Sequence, residues 1–220
     1  MAEVMDRQVS TVERVARHIE DRIIFGGLSP RERIQELRVA GELGVSRGSV
    51  REALLVLEGR HMVTIYPRRG ALVSELNPGE MVAAAEVVAH VTGAAFAELA
   101  AVMPNAAISE AMQRGCAELE EATRGGDLRT LIQKRQAFLE IPLDHIDNEF
   151  VVKISRGLSG TTRRLMMLAS RNAAFDPTDS RRCGQALFES TVARDGDRSR
   201  QILLAVLRRD GTLAQAAHTI

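Results

Sequence analysis

One run of fifteen residues, Gly44 to Glu58, narrows most sharply what this chain can fold into. Its apolar members Val50, Ala53, Leu54 and Leu57 recur at three- and four-residue steps, the period of a half-buried helix. Ser46 is placed to cap that helix, its hydroxyl accepting a bond from one of the first free backbone N–H groups. Arg47, Gly48, Ser49 and Arg51 fall off the apolar stripe. Two guanidinium forks and a hydroxyl therefore occupy the first turn and a half, clear of the core. Such a helix end can enter a major groove, because arginine bonds guanine bidentately and serine can hold a phosphate. Upstream, Ile34, Leu37, Ala40 and Leu43 space out as a second apolar face, and Gly44 ends that helix. Two short helices joined by a tight Gly-Val-Ser turn make a helix-turn-helix. Taken alone, the stretch also fits a surface helix with solvated arginines. The flanks bear on that choice.

Thr11 to Phe25 reads as a preceding helix, with Val12, Val15, Ile19, Ile23 and Ile24 on one stripe and Thr11 as its cap. Gly26-Gly27-Leu28-Ser29-Pro30 breaks it. Beyond Gly59, Met62 to Tyr66 has strand composition, Pro67-Arg68-Arg69-Gly70 is a turn, and Ala71 to Val73 returns as a second strand. A hairpin after a recognition helix is the wing of a winged helix, and its tip offers Arg68 and Arg69 to phosphate or minor groove. The plainer alternative is a charged, solvated turn. Formal net charge is zero, so any nucleic-acid surface must be local. It is: Arg47, Arg51, Arg60, Arg68 and Arg69 face only Glu52 and Glu58 within that stretch. Aromatic content is 3% with no Trp, which argues against stacking platforms for single strands.

Leu76-Asn77-Pro78-Gly79-Glu80 divides the chain into 1–76 and 77–220, Pro78 suiting the first turn of a new helix. Helical periodicity follows through Met81–Val102, Ala106–Thr123, Asp127–Leu143, Glu149–Leu168, Gly184–Arg194 and Asp197–Leu207. Breaks fall at Pro104-Asn105, Gly125-Gly126, Asp176-Pro177 and Gly196, with a kink at Pro142. The expected fold is mainly α: a winged helix-turn-helix with a two-stranded wing, then an all-α bundle of six or seven helices. Cys116 and Cys183 have neither partner nor metal spacing and read as reduced thiols of a cytoplasmic protein. No signal peptide precedes Asp6, and no uninterrupted apolar run approaches the ~18 residues that span a bilayer. His18, His61, His90, His145 and His218 are scattered. No catalytic spacing stands out, Glu120-Glu121 and Asp144/Asp147 reading as solvated surface, so an enzyme is not expected.

These motifs together resemble the DNA-binding domain of the GntR family of bacterial transcription regulators. The resemblance rests on Gly-x-Leu-x-Pro (Gly26 to Pro30), Glu-Leu-Gly-Val-Ser-Arg-x-x-Val-Arg-Glu-Ala-Leu-x-x-Leu-Glu (Glu42 to Glu58) and Pro-x-Arg-Gly-Ala-x-Val (Pro67 to Val73), about a third of the chain. It implies base- and phosphate-contacting roles for Arg47 and Arg51, helix-start roles for Ser46, Gly48 and Ser49, and a wing-tip role for Gly70. The family often carries Arg where this chain has Leu37. Arg38 is the candidate substitute, although one residue turns a helical side chain by ~100°.

The second part resembles the FCD ligand-sensing domain of the FadR subfamily, through Asp127, Phe138, Asn148 and Arg-x-Gly-Asp at Arg194 to Asp197. In most such domains an Asp and three His hold a divalent metal that binds a carboxylate. Here those positions fall on Arg135, Leu139, Ala186 and Arg208, none of which can ligate a cation, so no metal is expected. Arg135 and Arg208 could instead bind an anionic effector directly, walled by Leu139, Ala186, Phe188 and Met166. The alternatives are a pocket filled by side chains, or arginines paired with carboxylates. The function implied is a cytoplasmic, homodimeric regulator, a repressor, on a palindromic DNA operator and tuned by a small anion. A ligand-binding helical protein whose winged helix contacts other proteins is the competing reading.

Overall fold

Three hydrogen-bonded caps set the frame of the N-terminal third. The computed structural model describes residues 10–102 and 105–218. Helix α1 (Thr11–Ile24) is capped by Ser10, whose hydroxyl accepts from the Glu13 N–H at 3.1 Å, one residue ahead of the expected Thr11. Helix α2 (Glu36–Leu43) closes on Gly44, held at φ +63°, a conformation that costs glycine nothing. Ser46 caps α3 (Arg47–Gly59) as expected, accepting from the Ser49 N–H at 3.1 Å. Strands β1 (Val63–Tyr66) and β2 (Gly70–Val73) pair antiparallel, Val63 opposite Val73 and Tyr66 opposite Gly70.

Residues 31–34 add a short third rung that composition does not announce. The Ile34 N–H donates to Ala71 O at 2.9 Å and Val73 N–H to Glu32 O at 3.0 Å, on the edge of β2 away from β1. Glu58 covers the opposite edge, its Oε1 accepting from the Ile65 N–H at 2.7 Å. The β2 edge is thereby paired, and one donor of the β1 edge is covered. The core beneath is one cluster: Val15, Ile19, Ile23, Ile34, Val39, Val50, Leu54, Leu57, Met62, Val63, Ala71 and Val73 are all buried. Each contributes roughly 1.5–3 kcal/mol if large. Leu37 departs from the expected face: Val39 and Ala40 fill the core from α2, and Leu37 is 67% exposed. Ile34 and Ala40 are buried and Leu43 packs against the core as expected, so Leu37 alone leaves the stripe and Val39 joins it.

The chain divides into two compact units, Met1–Glu75 and Leu76–Ile220. The second holds six α-helices among the described residues: α4 (Pro78–Ala101), α5 (Ala106–Gly125), α6 (Leu128–Glu140), α7 (Glu149–Ala169), α8 (Thr178–Val192) and α9 (Gly196–His218). A capping box opens α4, Glu80 Oε2 accepting from the Asn77 N–H at 3.0 Å. Pro142 does interrupt α6, residues Ile141–Asp144 winding into a tighter 3-10 turn. Pro104 lies outside the described residues.

Two boundaries differ from the sequence expectation. Helix α8 begins at Thr178 rather than Gly184, because Asp176 Oδ1 accepts from both the Thr178 N–H (2.9 Å) and its hydroxyl (2.7 Å) and so starts the helix in a polar stretch. Helix α9 runs on to His218, through a glycine that looks like a stop. A Cβ on Gly211 would lie 2.7 Å from Ala85 Cβ, so the glycine lets α9 press against α4. Helix α4 is apolar and long enough to cross a bilayer by length and composition, although Glu86, His90 and Glu98 interrupt its apolar run. It is the spine of this unit: Met81, Ala85, Val88, Phe96 and Leu99 are buried beneath its neighbours. Phe96 stacks on Phe138 of α6 with ring centroids 6.1 Å apart.

Candidate nucleic-acid interface

The polar side of α3 emerges from the core as the stripe dictates. Val50, Ala53, Leu54 and Leu57 point inward, which turns Arg47 and Arg51 outward with side chains 52% and 63% exposed. Both reach a single acceptor. Arg47 Nη2 lies 3.2 Å, and Arg51 Nε 2.9 Å, from Oε2 of Glu36 at the start of α2. One carboxylate thus holds two cations, leaving a net positive charge. Exposed pairs of this kind are worth about 0–1 kcal/mol, so a phosphate or guanine can replace Glu36 at small cost. Ser49 shares its hydroxyl with that of Ser46 at 3.0 Å, and Gly48 carries no side chain that would shield the arginines.

Arg47 and Arg51 line an open cleft of about 760 Å³ bounded by α2, α3 and the wing. Its walls include Arg33, Glu36, Leu37, Tyr66, Arg68 and Gly70. The wing tip turns at Pro67-Arg68, the Arg69 N–H returning to Tyr66 O at 3.2 Å. Arg68 sits at φ +64°, the left-handed geometry that a type II turn demands at its third residue. Gly70, also left-handed, leaves room for Arg33, whose Nε would stand 3.5 Å from a Cβ there. Arg33, Arg68 and Arg69 are exposed and have no carboxylate partner among the described residues.

Arg38 takes a different place. Its Nε donates to Glu42 Oε1 at 2.8 Å, Arg22 donates to the other oxygen at 3.0 Å, and all three stand apart from the α3 arginines. The Arg38 hydrogen bond is the main reason the Glu42 carboxyl is held below its ordinary value. Arg38 lines a separate small cleft with Arg22 and Glu32. Leu37, not Arg38, shares the cleft with Arg47 and Arg51. Arg33, Glu36, Leu37 and Tyr66 were missed by the sequence reading. Arg33 could have been suspected from its spacing before the helix-turn-helix, but its contact with the wing depends on tertiary pairing.

In the helical unit the expected anion pocket is not assembled. Arg135 is buried and donates to Asp210 Oδ2 at 2.6 Å, so its charge is already matched from within. Arg208 lies two positions from Asp210 on α9, about 200° around the helix, and pairs with Glu86 at 2.9 Å on a half-exposed surface. Leu139 and Met166 are core; Ala186 and Phe188 are half-buried. The four named residues therefore do not converge, because the phase of α9 puts Asp210 where Arg208 was expected. Burial pushes the Asp210 carboxyl up; the guanidinium of Arg135, disfavoured by burial, is held charged by Asp210. Burial likewise pushes the Cys183 thiol up to about 11, despite Arg135 nearby, leaving it a poor nucleophile at neutral pH. Both cysteines are free thiols. Among the described residues no three of His, Cys, Asp and Glu gather as a metal site. A cavity of about 200 Å³, lined by Leu128, Leu131 and Phe175 among others, contains none of the four expected pocket residues.

Residues 11–73 match the family described as bacterial regulatory proteins, gntR family. Over 105 residues the chain is 31% identical to an uncharacterized HTH-type transcriptional regulator in the TAR-I ttuE-ttuC' intergenic region of Agrobacterium vitis. That match takes in 46% of this chain, and the chain spans 61% of the length of that curated relative. In fold, E. coli McbR/YncC is similar with a TM-score of 0.78 at 19% identity, covering 97% of this chain and 100% of that one. A GntR protein from Rhodococcus sp. RHA1 gives a TM-score of 0.68 at 19% identity, covering 93% and 97%. At such identities these likenesses concern the fold alone.

Proposed function

We propose, from the match of residues 11–73 to the gntR family of bacterial regulatory proteins, that the chain is a sequence-specific DNA-binding transcription regulator. The observation that carries the reading is the cleft face itself: Arg47 and Arg51 on the leading turns of α3, with Arg33 and Arg68 around the same opening. The α3 arginines read base edges, and Arg68 and Arg69 hold phosphate, with Ser46, Gly48, Ser49 and Gly70 shaping the approach. Arg38, bonded to Glu42 and lining a separate cleft, lies outside that opening.

One winged helix touches too few bases for useful discrimination, so the working species is a homodimer on a palindromic operator with half-sites about one turn apart. Its mode is repression, its place the cytoplasm, and it has no catalytic role. The helical unit is an FCD-like ligand-sensing and dimerisation domain, coupled to operator affinity by the ~1–3 kcal/mol typical of such linkage. Its small-molecule effector, a carboxylate or other anion, is not held by the Arg135–Arg208 arrangement.

The test is a gel shift with the DNA upstream of the protein's own reading frame, titrated with non-specific competitor. The expected result is a shifted complex that survives competitor and weakens with salt. A protein that ignores duplexes of every sequence at low salt overturns the reading, and leaves the helical unit's protein- or ligand-binding role as the remaining one.

A further inference from the structure

We propose that Leu37 reads the methyl group of a thymine at one position in each half-site. The proposal rests on the DNA-binding reading above and deepens it. Leu37 is 67% exposed, whereas Val39 and Ala40 of the same helix fill the core. It is not among the residues that form or pack against the winged-helix core. Its surroundings are nonetheless specific: it lines the cleft that holds Arg33, Arg47, Arg51 and Arg68. A polyanion is the partner that four guanidinium groups around one opening would attract.

Within a major groove the arginines address guanine O6 and N7, and Glu36 beside Leu37 is the cleft's acidic group. The one apolar feature that a base pair shows there is the C5 methyl of thymine, and aliphatic side chains meet it by direct contact. Leu37 stands on the first turn of α2, with Glu36 beside it joined to both α3 arginines. The side chains that reach bases from α3 thus have an apolar neighbour at the same opening. Exposed leucine in water gains by covering a methyl group, and cytosine or uracil at that position offers none.

Selection of duplexes from a random pool by the full-length protein supplies the operator, and each thymine in it is then replaced singly by deoxyuridine, which removes only the methyl. Wild-type protein is expected to lose about three- to fivefold in affinity at one thymine per half-site, the worth of burying a single methyl group. Leu37→Ala, a surface change that leaves the circular dichroism and melting of the protein unaltered, is expected to select a motif degenerate at that position. It should also bind the thymine and deoxyuridine duplexes equally. The proposal is overturned if deoxyuridine is tolerated at every position by the wild-type protein, or if Leu37→Ala keeps the same methyl sensitivity. Enrichment of no sequence by either protein is a different result: it removes the DNA-binding reading and this proposal with it.

Discussion

Arg51 on the recognition helix and Arg135 in the helical bundle make nearly the same bond in opposite surroundings. Arg51 Nε stands 2.9 Å from Glu36, and Arg135 Nη2 stands 2.6 Å from Asp210. In the first pair the arginine is 63% and the glutamate 21% exposed; in the second the figures are 6% and 9%. In water the attraction is screened and the partner is exchangeable, so the cation stays available to another anion. In the interior, taking both ions out of water costs several kcal/mol each, and the bond only offsets that cost. The geometry of an arginine pair therefore says little about its role. Burial decides whether the charge is held ready or committed to the fold.

The sharpest way to break this comparison is to remove one partner on the buried side. Asp210→Ala leaves the Arg135 guanidinium uncompensated in the bundle and should cost about 3–5 kcal/mol of stability. Urea titration of the full chain followed by circular dichroism measures it. Replacing both, Arg135→Met with Asp210→Leu, should recover most of the loss, since a well-packed apolar pair replaces two desolvated ions. If the single and double variants are equally unstable, the pair does more than balance charge.

On the exposed side the expected losses are in binding, not in folding. Arg51→Ala should cost about 1–3 kcal/mol at the base pair it reads, relaxing preference there while melting is unchanged. Binding to operators mutated one position at a time locates the effect. Arg68→Gly is a milder change and a cleaner one: glycine accepts the +64° backbone angle without strain, so only the charge is lost. Affinity should fall by a similar factor for operator and non-specific duplexes, and the slope of log K against log salt should flatten by about one.

How much of this could be read from the sequence follows the same division. The winged helix was legible nearly residue by residue, because Gly44, Ser46 and the Val50–Leu57 stripe impose local rules that tertiary packing only confirms. Where the stripe is short it held only in part: Ala40 and Leu43 of α2 meet the core, while Val39 is buried in addition and Leu37 is exposed. The rung at residues 31–34 is long-range and left no local mark. In the bundle, helix number and most helix starts were legible, but the start of α8 and the end of α9 were not. Gly211 signals a stop in isolation and close packing against Ala85 in context. The resemblance to the FCD domain placed Arg208 beside Arg135, whereas the α9 residue that meets it is Asp210.

Glu36→Gln gives the smallest expected change and bears most directly on what holding an arginine ready means. The carboxylate takes both α3 arginines on one oxygen, which fixes their heading and lowers the positive field around them. The neutral amide keeps the shape and an acceptor but removes the charge. Stability should move by less than about 1 kcal/mol, the ceiling for an exposed pair. Affinity for random duplex should rise by a few-fold, because no carboxylate must be displaced, while affinity for the selected operator rises less. The ratio between the two is the informative quantity, measured by parallel titrations at one salt concentration. If that ratio is unchanged, Glu36 only neutralises charge; if it falls, Glu36 makes the arginines favour bases over backbone by opposing contacts that any phosphate could make.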